Sequence, residues 1–100
     1  LRYGLHGGLL ETAMMRYLAP ALVQLDDYQA TPPAAPRGDD LVSAEGSAAF
    51  AWLAEDLSAH GVAGDASQAS AELGERLVKH YARQLAAVVT ETAHLPPLTN

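Results

Sequence analysis

Gly4-Leu5-His6-Gly7-Gly8-Leu9-Leu10-Glu11-Thr12 is the stretch from which the rest of the chain is read. Three glycines frame one histidine, and an apolar periodic segment starts immediately afterwards. Glycine reaches backbone angles that other residues resist and allows close approach of a ligand or a second backbone. The imidazole is therefore expected in an accessible turn just before a helix. Histidine titrates near neutrality and can accept, donate or shuttle a proton, so this placement suits acid or base chemistry. A turn histidine bonded to a neighbouring carbonyl is the ordinary alternative, because one residue does not define a catalytic geometry.

Downstream, from Leu9 to about Asp26, the residues Leu10, Met14, Tyr17, Leu18, Ala21, Leu22 and Leu25 recur at spacings of three and four. That is one face of an amphipathic helix. Pro20 has no backbone donor and disfavours helical angles at Ala19, so the helix is predicted to break there and to restart with Pro20 as first residue. Between Asp27 and Gly46, the run Thr31-Pro32-Pro33-Ala34-Ala35-Pro36-Arg37-Gly38-Asp39-Asp40 reads as a surface loop. Ala48 to Leu57 carries Phe50, Trp52, Leu53 and Leu57 with no decisive period, and the extended reading is preferred.

His60-Gly61-Val62-Ala63-Gly64-Asp65 reads as a turn, and a long helix is expected to follow, capped by Asp65 with Gln68 completing a capping-box-like pair. Ala69, Leu73, Leu77, Val78, Tyr81, Leu85 and Val88 form its apolar stripe. Glu72–Arg76 and Glu75–Lys79 stand four apart in the favourable order, and Pro96-Pro97 closes the segment. No internal repeat is visible, which argues against a solenoid.

One hundred residues allow one small domain, and the apolar share of 49% with 18% charged residues is that of a folding chain. A formal charge of −6 provides no attraction for nucleic acid or anionic membrane surfaces, so neither is expected as a partner. Cysteine is absent, which removes disulfides, thiolate metal sites and a cysteine nucleophile, and fits a cytoplasmic address. No apolar run approaches the roughly 20 residues of a membrane-spanning helix. With Leu1 leading directly into the glycine turn, the chain is expected to lack its natural beginning.

Two ordered segments carry a family resemblance. His6-Gly7-Gly8-Leu9-Leu10-Glu11-Thr12-Ala13-Met14-Met15, running on to Leu18-Ala19-Pro20-Ala21-Leu22-Val23, resembles the creatininase pattern of HAG or HGG, ETS, a hydrophobic helix and P-x-L-V. Trp52-Leu53-Ala54-Glu55-Asp56-Leu57, Gly61-Val62-Ala63-Gly64-Asp65 and Ala69-Ser70-Ala71-Glu72-Leu73-Gly74-Glu75-Arg76-Leu77 are similar to that family's W-[ML]-x-[QE]-D-L, G-x-x-G-D and A-T-A-E-K-G-x-x-L segments, in the same order. The resemblance implies an α/β fold, a largely parallel sheet flanked by helices, of which residues 1–100 would form the mostly helical C-terminal segment. It also implies hydrolysis of a carbon–nitrogen bond in a small-molecule amide by a dinuclear centre of zinc or manganese, in a homo-oligomer. The family's metal ligands, an early Glu-x-His, a following Asp and a His-x-Glu, have no counterpart here and are expected outside this chain. His6 matches the family's substrate-side histidine, the one catalytic role carried across. Leu5 stands where an acid is often found, Arg2 and Tyr3 do not reproduce the aromatic-acidic pair of creatininase itself, and Ala13 replaces a serine. These departures argue against creatinine as the particular substrate and leave the fold expectation intact.

Glu11, in the first helical turn, suits the positive helix end or orients His6 from behind it. Met14 and Met15 read as core filler. His60, His80 and His94 are too scattered to form a metal site by spacing. Asp26-Asp27 and Asp39-Asp40 read as solvated loop acids. Gly61-x-x-Gly64-Asp65 before a helix suggests an anion site, but the acid at the cap would repel phosphate, so a structural turn is expected. The alternative to the enzyme reading is a non-catalytic helical interaction or oligomerisation module that uses the same apolar stripes.

Overall fold

The computed structural model describes residues 4–26, 41–44 and 46–98. The expected loop from Thr31 to Asp40 lies outside the described residues, as do Arg2, Tyr3 and Asp27.

The first helix, α1, spans Leu9–Leu18 and is followed by one 3-10 turn at Pro20–Leu22. The break falls where the proline predicts it. Ala19 leaves helical geometry at φ −149°, ψ 66°, although its N–H still donates to the Met15 carbonyl at 2.8 Å. The restart lasts only one turn, because Val23 is already extended at φ −96°, ψ 116°.

Two short strands, β1 (Val42–Ser43) and β2 (Ala48–Ala49), pair in parallel with Val42 opposite Ala48. The preference for an extended Ala48–Leu57 is correct only at its start, since one helical turn, α2, forms at Ala54–Leu57. Asp56 induces that turn: its carboxylate accepts from the Leu53 N–H at 2.8 Å while its own N–H donates to the Leu53 carbonyl at 3.0 Å. The Trp52 indole donates to the Ala44 carbonyl at 3.2 Å and ties α2 to the strand pair.

The last helix, α3, runs Ala71–His94 and begins later than expected. Ser70 caps it by accepting from the Leu73 N–H at 3.1 Å, whereas Asp65 accepts from Ser67 N–H in the preceding turn. Ser70 is extended at φ −128°, ψ 156°, and just before it the Ala69 carbonyl accepts from the Arg16 guanidinium of α1 at 2.6 Å. On the solvent side Glu75 and Lys79 pair at 2.6 Å, and the hydrogen bond with its accompanying charge holds the Lys79 ammonium above the usual lysine range.

α1 lies across the first turns of α3, and the core between them is made of small residues. Ala13, Ala66 and Ala69 are buried, with Leu9, Leu73 and Leu77 packed around them. Closest approach is at Gly74, where an added Cβ would run into the carbonyl of Ala13 and lie 2.9 Å from Tyr17 Cβ. At a rise of about 1.5 Å per residue α3 is roughly 36 Å long and α1 roughly 15 Å, so α1 covers less than half of it. Beyond that cover Tyr81, Leu85, Val88 and Val89 are exposed, and the radius of gyration of 17.5 Å exceeds the ~13 Å of a compact domain this size. Mostly helical content with a short parallel pair agrees with the expected helix-rich α/β segment.

Two outcomes follow from this packing. In the intact protein Gly74→Ala should lower the urea midpoint of the helical signal, since an added Cβ meets the Ala13 backbone and the overpacking cost of up to about 3 kcal/mol outweighs the gain of at most about 1 kcal/mol from replacing glycine inside a helix. Residues 1–100 in isolation should self-associate through the uncovered α3 stripe or unfold without cooperativity. A monomer in sedimentation with a sharp thermal transition would contradict the second outcome.

Candidate functional site

The histidine turn is held by backbone contacts from a distant part of the chain. Leu5 N–H and His6 N–H both donate to the Ala63 carbonyl, at 2.8 and 3.2 Å, and Ala63 N–H donates back to the His6 carbonyl at 2.9 Å. This is an antiparallel bridge between His6 and Ala63. The next residue, Gly7, takes the left-handed angle φ +63°, which turns the chain sharply into α1. The His6 side chain remains exposed at this turn.

Two α1 side chains secure the turn from behind. The Gly7 N–H donates to Glu11 Oε2 at 2.8 Å, and the Thr12 hydroxyl donates to the Gly7 carbonyl at 3.3 Å. Gly8, at the cap position, has no side chain to offer the helix end, so Glu11 reaches back past it. The carboxylate thus sits at the positive helix end and accepts from the amide of the residue after His6. An open pocket of about 230 Å³ adjoins the turn, bounded by Gly7, by Glu11, Thr12 and Met15 of α1, by residues 22–25 and by Val62. His6 is not among its lining residues.

The remaining candidates stay apart. His60 is exposed in its turn, the His80 ring packs edge-on against Tyr81 at 5.6 Å, and His94 Nδ1 lies 2.7 Å from the Thr90 carbonyl at the end of α3. Among the described residues no three His, Asp or Glu side chains converge as a metal site would require. Gly61 takes φ +77° in the expected turn before Gly64 and Asp65. No spacing rule connects Ala63 to His6, and glycine in both segments is the trace their pairing leaves in the sequence.

A family model described as creatinine amidohydrolase (Creatininase) matches residues 1–89. The chain belongs to the creatininase family. Searches of curated proteins and of solved structures returned no match. Membership in the creatininase family assigns the chain to a group of hydrolases, and both resembling segments fall inside the matched span. Among the described residues no helix of this creatininase-family chain is long and apolar enough to cross a membrane.

If the Glu11 carboxylate holds the turn, Glu11→Ala should speed hydrogen exchange at the Gly7 amide and lower stability by about 1 kcal/mol, the usual loss for a helix-end contact. Glu11→Gln keeps an acceptor oxygen and should change both less. Equal exchange rates in the parent and Glu11→Ala would remove the contact from the account.

Proposed function

We propose that the protein is a metal-dependent amidohydrolase that cleaves a carbon–nitrogen bond in a small cyclic or linear amide, with His6 transferring a proton beside the substrate. The observation that carries this reading is an exposed imidazole on a turn held by three backbone hydrogen bonds, in a chain of the creatininase family. Residues 1–100 would form the C-terminal segment of a single domain. The divalent metal, zinc or manganese, would be held by residues outside this chain, because the family's Glu-x-His and His-x-Glu ligand motifs have no counterpart in the sequence.

What this segment contributes is position and a proton. Gly7 and Gly8 keep side chains away from the imidazole, Glu11 holds the adjoining amide, and α1 fixes the direction in which the turn points. Cleavage of an amide leaves a nitrogen that departs easily only once protonated, and a positioned histidine is suited to deliver that proton. The absence of cysteine fits a cytoplasmic enzyme, and a homo-oligomer is the assembly proposed.

A second reading, a non-catalytic interaction module, is favoured by the exposure of Tyr81, Leu85, Val88 and Val89 along α3. Metal analysis and amide-hydrolysis assays on the intact protein separate the two. In the enzyme, His6→Ala should leave folding and metal content unchanged and lower turnover by about a hundredfold to ten-thousandfold, the range for a positioned acid or base. Parental turnover in a folded, metal-loaded His6→Ala protein would take His6 out of the mechanism.

A further inference from the structure

We infer that Val62, Ala63 and Gly64 are positioning residues for His6, which makes a turn more than fifty positions downstream a working part of the site; this rests on reading His6 as the proton-transferring residue. Three different contacts reach the histidine turn from this segment. The Ala63 carbonyl accepts from Leu5 and His6 at 2.8 and 3.2 Å, and its N–H donates to His6 at 2.9 Å. Pairing of this kind holds the backbone extended at His6 and so sets the direction of its side chain.

Gly64 supplies the second contact. A Cβ built there would lie 2.9 Å from Gly8 Cα and 3.3 Å from Gly4 Cα, so the chain on both sides of His6 rests on a position with no room for a side chain. Ala63 and Gly64 are both buried. Val62 supplies the third: its Cγ2 stands 3.5 Å from where a Cβ on Gly7 would be, a methyl group lying against the residue that follows the histidine. Together the three contacts hold the turn from residue 4 to residue 8 and leave the imidazole accessible.

None of the three residues carries charge or a side-chain proton, so their effect on the reaction is geometric and passes through His6. An acid or base must lie within hydrogen-bond reach of the proton it moves, and a displacement of about 1 Å costs about a hundredfold in rate. A methyl group at position 64 meets backbone rather than a flexible side-chain tip, so Gly4 or Gly8 must move and carry His6 with it.

The test uses the intact protein carrying Gly64→Ala or Val62→Ala, each alone and combined with His6→Ala. Gly64→Ala should lower kcat by about ten- to a hundredfold with KM nearly unchanged, and Val62→Ala, which removes methyls without a clash, by roughly three- to tenfold. Both losses should vanish when His6 is already alanine, because residues acting as one unit are non-additive. Gly61→Asn serves as the control: position 61 has φ +77°, which asparagine tolerates, and open space around it, so kcat should hold. The same fold-loss with and without His6 would overturn the inference, and if Gly64→Ala does not fold, Val62→Ala decides alone. Should His6→Ala retain parental turnover, the catalytic reading fails separately, and positioning is then read by NMR. The His6 imidazole resonance should move in Gly64→Ala and Val62→Ala but not in Gly61→Asn; an unmoved resonance in both variants would overturn the inference.

Discussion

At Gly74 the backbone of α3 comes against the carbonyl of Ala13 on α1, with no space between them for a Cβ. Helices held this close leave room only for small residues, and Ala13 of α1 is buried with Ala66 and Ala69 of the segment leading into α3, while Leu9, Leu73 and Leu77 pack around them. The approach also brings Arg16 within reach of the Ala69 carbonyl, next to the Ser70 cap of α3. Residues 60–65, just upstream, are thereby delivered beside the turn that precedes α1. The placement of His6 is a consequence of how two helices meet.

A core of this kind contributes little hydrophobic free energy for its size. Among the described residues no side chain larger than alanine is fully buried, and at about 25 cal/mol per Å² of apolar surface four buried alanines supply far less than the same number of leucines. The first turns of α3 carry the contact with α1, while Tyr81, Leu85, Val88 and Val89 in its second half are exposed.

Around His6 the support goes to the backbone and not to the side chain. Hydrogen bonds and close packing go to the backbone of residues 4–8, through Ala63, Gly64, Glu11 and Thr12, while the imidazole itself is exposed. Rigid backbone under an accessible side chain is the arrangement in which an acid or base can be aimed without being enclosed.

Local periodicity and residue chemistry determined much by themselves: α1 and its break at Pro20, the long apolar stripe of α3, the Glu75–Lys79 pair, the turn at Gly61, and the histidine between glycines with Glu11 one helical turn later. Each depends on residues within about four positions of one another, the range over which helix and turn rules act. Tertiary structure decided the rest. Asp65 and Ser70 are both competent helix caps by sequence; in the fold Ser70 caps α3, and the Ala69 carbonyl just before it accepts from Arg16 of α1. Ala48 to Leu57 is too short for its pattern to distinguish strand from helix, and its first residues are extended because they pair with β1, six positions earlier. The pairing of His6 with Ala63 spans 57 positions and leaves no periodic trace, because backbone hydrogen bonds and glycine contacts between distant segments do not depend on a side-chain pattern that a sequence can display.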